Sequence, residues 1–204
     1  MIPKGEDMID KLFIYGSLCE GMIHHKVIKD SIVRCIPAEI RGSAYRLNVG
    51  YPVYLNEGDG VVKGYLVELK PSEILAAMLD EFYGVNHRQP NRSVHERMFT
   101  QVLVDNSMVE AQVYALRPKK LPKDAVLITD GNWEADFDSQ KPLEDRFSEE
   151  EIQYIEKIGK TTGREVIPYT PMTRQLEKQG IVVDKGRRPA LTPYGKEIFK
   201  YLGL

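Results

Sequence analysis

Long apolar runs are missing from this 204-residue chain. No stretch approaches the ~18 apolar residues that a membrane helix needs, so no membrane partner is expected. Cysteine is scarce. Cys19 and Cys35 form no CxxC, and no His/Cys cluster has zinc spacing. A disulfide scaffold or a structural zinc is therefore not expected, and a reducing, cytoplasmic setting is the simplest inference. Excess charge of one sign is absent too: 28 Lys and Arg stand against 30 Asp and Glu. That argues against wholesale affinity for nucleic acid, though not against a local patch. There is no internal repeat and no low-complexity tract. The opening MIPKGEDMID carries charges where a signal peptide needs an apolar core. Residues 1–10 are read as a floppy tail.

What is present is an ordinary globular composition, 42% hydrophobic and 28% charged, long enough for a real core. Lys11–Tyr15 is short, apolar and aromatic, and predicts a strand. Gly21–Lys29 suits a short helix. Ser31–Leu47 reads as one bent or two short strands, with Pro37 and Gly42 marking a break or an edge. Gly50-Tyr51-Pro52 is a turn and Val53–Leu55 a brief extended piece. Val61–Leu69 predicts a strand, and Met98–Val104 with Met108–Leu116 a hairpin around Asp105-Asn106-Ser107. One helix interrupts them. Pro71 suits its first position and Gly84 the position past its end. Ile74, Leu75, Met78, Leu79 and Phe82 make one apolar stripe between them, read as core. Many strands and one good helix indicate an α+β fold, a small mixed β-barrel with the helix closing one side.

Arg117–Phe147 has little periodicity and reads as an extended connection, with 138–147 as the linker between a domain at 11–137 and a small, mostly helical unit at 148–204. Ser148 caps one helix, with Glu149–Glu151 in its first turn. Thr170–Gln179 is a second helix and Pro193–Leu202 a third. Ile181–Val183 and Ala190–Leu191 flank a basic turn, Lys185-Gly186-Arg187-Arg188. This order is similar to the second half of a winged helix-turn-helix, in which the turn would be the wing. Residues 147–204 hold ten Lys/Arg and eight Asp/Glu, a near balance that weakly supports DNA binding. The plainer alternative is a docking module that caps the barrel or mediates homodimerisation.

The strand before Gly16-Ser17 stops abruptly. Its turn leaves backbone N–H groups pointing away from the sheet, and Gly16 lets a ligand approach the backbone closely. Successive free amides make a nest for a carboxylate or oxyanion. A plain strand-to-helix turn is the competing reading.

Tyr15-Gly16-Ser17-Leu18, then Gly21, then His24-His25, resembles the opening signature of the γ-glutamylcyclotransferase-like family. Further pieces follow in order. Arg41–Leu47, Gly50-Tyr51-Pro52, Val61–Leu69, Leu79–Gly84 and Gly131-Asn132-Trp133 are similar to its second strand, Tyr-Pro turn, Val-x-Gly strand, Leu-Asp-x-x-Glu-Gly helix end and late Gly-Asp-Trp. The resemblance spans roughly residues 10–137. It implies the family's mixed barrel, with Tyr15, Gly16, Ser17, Leu18 and Tyr51 around a γ-glutamyl or amino-acid-like ligand. It implies cyclisation of a γ-glutamyl amine or peptide to 5-oxoproline with release of the amine, without metal or cofactor. The physical needs are a base that moves a proton between two nitrogens and preorganised donors for the oxyanion.

One position departs. Where the family has its catalytic Glu, this chain has Tyr83, whose ordinary pKa of about 10 makes it a poor base. Glu81 is two residues away, a helical rotation of about 200°. His95 and Glu96 stand near the family's later Tyr-x-Arg, and His95 has a suitable ordinary pKa. Glu81, His95 and Glu96 are thus the candidate replacements. A Cys19 thiol paired with His24 or His25 is a further possibility. Gly159-Lys160-Thr161-Thr162 is rejected as a phosphate loop, because Tyr154 occupies the first glycine's place. Three classes of function follow: a cyclotransferase, a silent binder of the same ligands, and a ligand-sensing regulator with a DNA-binding C-terminal unit.

Overall fold

Alternation decides the barrel. In β1 (Lys11–Ile14) successive side chains face opposite sides: Phe13 enters one core cluster and Leu12 and Ile14 another. The computed structural model describes residues 8–22, 24–47, 50–140, 143–161, 167–186 and 188–204. Most of the expected N-terminal tail and Arg187 of the basic turn lie outside them. Two units divide the chain, one ending at Asp138 and one from Ser139 to Leu204.

The first unit is a closed barrel in the order β1-β5-β2-β6-β7, with β2 at Ile32–Arg41, β5 at Val61–Leu69, β6 at His95–Val104 and β7 at Ser107–Leu116. Every pairing is antiparallel except β1 with β7, which meet in parallel at Leu12 and Gln112, so the barrel is mixed. Phe13, Leu66, Val102 and Val113 fill its interior. Asp105 and Asn106 both have positive φ, 47° and 63°, which gives the tight hairpin between β6 and β7. Pro37 does not break β2. Its strand meets β6 only at Glu39 and Ile40, so a missing N–H is tolerated at Pro37. A small sheet is added by β3 (Ser43–Arg46), β4 (Pro52–Leu55) and β8 (Val126–Leu127), in the order β4-β3-β8.

The helix α1 (Glu73–Phe82) packs outside the barrel over Leu12, Ile14, Val67 and Tyr114. Its cap is Ser72, which accepts from the Leu75 amide, so Pro71 lies before the helix and not at its first position. The apolar stripe is also narrower than expected. Leu75, Ala76 and Leu79 are buried, while Ile74 is 82% exposed and Met78 and Phe82 are over a third exposed. A helix laid on an already closed barrel touches it along one line, and the flanking apolar positions face out. Gly21–Lys29 forms turns and a short 3₁₀ segment at His25–Val27 instead of an α-helix. The stretch read as an extended connection carries β8 and a short helix α2 (Trp133–Asp138).

The second unit runs α3 (Glu149–Lys160), α4 (Pro171–Lys178), a hairpin of β9 (Val182–Asp184) and β10 (Pro189–Leu191), and α5 (Pro193–Tyr201). Ser148 and Glu151 form a reciprocal capping box on α3, Thr170 caps α4 and Thr192 caps α5. Ile155, Leu176, Ile181 and Ile198 form its core. A 3₁₀ turn at Leu143–Arg146 occupies the expected linker.

Candidate functional site

The turn after β1 is held by its carbonyls. Gly16 O accepts from the Cys19 amide at 2.8 Å, Ser17 O from the His24 amide at 2.9 Å, and Leu18 O from His25 Nδ1 at 3.0 Å. No acceptor among the described residues takes the Ser17 or Leu18 amide. The turn therefore ties its negative ends back and leaves positive ones free, the polarity of an anion nest. Tyr15 fixes the turn from inside. Its hydroxyl donates to the Tyr114 carbonyl and accepts from the Tyr54 amide, both at 3.0 Å. Burial pushes that phenol up, so Tyr15 stays a neutral pin between β7 and β4. Gly16 has a different role from the one expected. A Cβ there would stand 2.6 Å from Pro52 Cγ, so the space is filled by β4 and not open to a ligand.

Tyr83 closes α1. The Gly84 amide donates to Glu81 O at 3.1 Å and the Val85 amide to Asp80 O at 2.7 Å, with Gly84 at φ +65°; this is a Schellman ending with Tyr83 as its C-cap. The Tyr83 ring stacks on Tyr114 at 4.1 Å and meets Phe82 and His95 edge-on at 5.0 and 5.2 Å. Phe82 in turn meets His24 at 4.9 Å, and His24 lies 6.2 Å from Tyr51. Burial raises the Tyr83 phenol well above 10, and Tyr15, Tyr114 and Cys19 oppose its ionisation further. It is thus a neutral hydrogen-bonding group.

His95 donates from Nδ1 to the Tyr83 carbonyl at 2.7 Å. That bond leaves the lone pair on Nε2. Burial lowers the imidazole pKa, so the ring is neutral at pH 7.

The two carboxylate candidates do not join this group. Glu81 is exposed, beside Val85, His87 and Arg92. Glu96 alternates to the other face of β6 from His95 and pairs with Arg117 at 3.5 Å. Cys19 is 1% exposed, and burial with the nearby Glu134 carboxylate pushes its thiol up to about 12. A thiol so buried is a poor nucleophile, and the Cys–His alternative fails on that ground.

One residue was passed over. Asp80 is 7% exposed. It accepts from Tyr114 O–H at 2.8 Å and from His87 Nε2 at 2.6 Å, and pairs with Arg97 Nε at 3.3 Å. It fixes the ring on which Tyr83 stacks. Its signal was a charge on the buried stripe of α1, next to Leu79. Among the described residues, no group of three or more His, Cys, Asp or Glu could hold a metal, and no helix is long and apolar enough to cross a membrane.

The sequence profile of the γ-glutamyl cyclotransferase, AIG2-like family matches residues 12–135. The chain belongs to that family. The match begins in β1 and ends in α2, so the second unit lies outside it. A curated relative, the γ-L-glutamyl-butirosin B γ-glutamyl cyclotransferase of Niallia circulans, is 33% identical over 101 residues, 48% of this chain and 62% of the relative. The match thus spans less than two thirds of that enzyme. Among solved structures, YkqA from Bacillus subtilis shares 21% identity at a TM-score of 0.49, covering 66% of this chain and 44% of that one. The uropathogenic E. coli-specific protein c4763 shares 15% at 0.46, covering 66% and 98%.

Proposed function

We propose that the barrel unit binds a γ-glutamyl amine or peptide at the Tyr15–Leu18 turn, with Tyr83 acting as a neutral hydrogen-bonding group and not as a base. The carrying observation is the pair of amides, Ser17 and Leu18, without an acceptor among the described residues, on a turn whose Gly16, Ser17 and Leu18 carbonyls are engaged. They suit the α-carboxylate or the γ-carbonyl oxygen of such a ligand. Tyr51, His24 and Phe82 continue the wall beside them. A phenol held well above its ordinary pKa cannot take the proton of an attacking α-amine at neutral pH. Ligand binding without family-level turnover is the result.

A second reading keeps the chemistry. The attacking α-amine forms the new C–N bond to the γ-carbonyl and gives its proton to His95 Nε2. His95 returns that proton to the departing nitrogen as the old amide C–N bond breaks. The neutral imidazole with Nε2 unoccupied favours it. The ligand-sensing reading needs the second unit to bind DNA. Exposed Arg174, Lys178, Lys185 and Arg188 support it, while Glu177 and Asp184 lie among them.

The test combines calorimetric binding of γ-glutamyl-glycine with assay of 5-oxoproline release by wild type and Tyr83→Glu. Saturable binding with little release, and a gain of about 10²-fold or more in Tyr83→Glu, is expected. Fast wild-type release that disappears in His95→Gln would establish the second reading instead. No binding to either protein would sink both.

A further inference from the structure

The outer side of α1 shows solvent a row of large apolar side chains. Ile74, Met78 and Phe82 recur every four residues, which sets them along one line of the helix, about 6 Å apart per step. They are 82%, 42% and 37% exposed. A single exposed apolar side chain needs no explanation, but a contiguous row of them marks a contact surface. The row does not end with the helix. The Phe82 ring meets His24 edge-on at 4.9 Å, and His24 lies 6.2 Å from Tyr51. Both His24 and Tyr51 are partly exposed.

The second observation is where the row arrives. The His24 amide donates to Ser17 O at 2.9 Å, so the rings begin one hydrogen bond away from the turn that carries the Ser17 and Leu18 amides. A ligand held by those amides has this row beside it on the α1 side. No Asp, Glu, Lys or Arg interrupts the row from Ile74 through Met78, Phe82 and His24 to Tyr51. A γ-glutamyl amide has two unlike halves. Its glutamyl half carries an α-ammonium and an α-carboxylate, which lose hydration against rings and gain no counter-charge there. Its amine half carries whatever substituent the amine brings. Only the amine half can bury apolar surface on this row.

We infer that Phe82, between His24 and Met78, seats the amine half of the ligand, and that the ligand class is a γ-glutamyl amide of an aromatic or bulky apolar amine. The inference rests on the γ-glutamyl reading of the turn and deepens it. An aromatic substituent packs against the Phe82 ring and covers the adjoining Met78 thioether. A glycine or a charged amine leaves the row in water. Phe82 thus sets specificity without touching the reacting atoms.

The test is a calorimetric series on the full chain with ligands that differ only in one side chain: γ-glutamyl-glycine, γ-glutamyl-leucine, γ-glutamyl-phenylalanine and γ-glutamyl-glutamate. The phenylalanine ligand should bind about tenfold more tightly than the glycine ligand, the leucine ligand about threefold, and the glutamate ligand no more tightly. In Phe82→Ala the phenylalanine advantage should shrink to about twofold, while the dissociation constant for γ-glutamyl-glycine stays within about twofold of wild type. Met108→Ala, at a position on β7 that is 62% exposed and outside the row, should leave the advantage intact. Equal constants for the glycine and phenylalanine ligands, or an advantage that survives Phe82→Ala, overturn the inference and leave the γ-glutamyl reading standing. Should Phe82→Ala fail to fold, the wild-type series decides alone, and a glutamate ligand that gains as much as the phenylalanine one also overturns it. Absence of binding by all the ligands sinks the γ-glutamyl reading, and this inference with it.

Discussion

On the α1 side of the Tyr15–Cys19 turn stands a chain of rings, His24, Phe82, Tyr83 and His95, of which burial keeps Tyr83 and His95 neutral. On its β5 side it faces Glu39, Lys63 and Glu134, of which the two carboxylates have no ion-pair partner among the described residues. The same short segment therefore borders two surfaces of different character. On the proposed reading the ring side selects by shape and by hydrogen bonds to backbone amides, which salt scarcely screens, whereas any attraction to the charged side weakens with salt. A carboxylate at position 83 would move charge across the turn, and this chain has none there.

The ring side is braced from behind by one buried acid, Asp80, and the largest stability effect is expected there. Asp80→Ala should cost about 3–5 kcal/mol in urea unfolding, because Arg97 is left buried and loses a partner. The same variant should weaken γ-glutamyl-glycine binding, and unchanged affinity would show that the ring side does not depend on Asp80. Next in size is Tyr15→Phe. It removes one hydroxyl shared by the Tyr54 amide and the Tyr114 carbonyl, and should cost about 1–3 kcal/mol.

Acid should distinguish the flanks further. The His95 pKa lies lower in the folded state than in the unfolded one, whose ordinary value is about 6.5. Below that value the unfolded chain binds the extra proton first. Stability is therefore full above about pH 6.5 and falls as the pH drops toward the folded pKa, by at most about 1.4 kcal/mol per pH unit from this group. Unfolding followed between pH 7 and 5 should show that slope, and His95→Gln should flatten it. The smallest effects belong to Glu81→Gln and Glu96→Gln. Each should change stability by no more than about 0.5 kcal/mol and leave γ-glutamyl-glycine affinity unaltered. A marked loss of affinity from either would show that the ring side reaches farther than the geometry indicates.

How far the sequence led depended on the length scale. Val61–Leu69 was legible to the residue, because alternation persists over nine positions. Gly84 was legible because only a left-handed residue ends a helix in that way. The two residues of β8 and the six of α2 were not: segments so short are shaped by their surroundings, β8 by its pairing with β3, rather than by their own periodicity. At the candidate site, the turn and the helix end at Tyr83 were placed from their order along the chain. That Glu81 and Glu96 turn away while His95 turns in depends on where α1 stops and on the pleat of β6. Asp80 was hidden because a charge on an apolar stripe looks like noise until Tyr114, Arg97 and His87 arrive from elsewhere in the chain.

The Schellman ending has a further consequence for position 83. Its backbone is located by the Gly84 and Val85 amides behind it and by the His95 imidazole on its carbonyl. None of these three bonds uses the side chain. The position is accordingly a socket: the scaffold fixes where a group is presented, and leaves open which group that is. On the proposed reading, the choice of group at that one replaceable position decides whether a bound ligand is transformed or only retained.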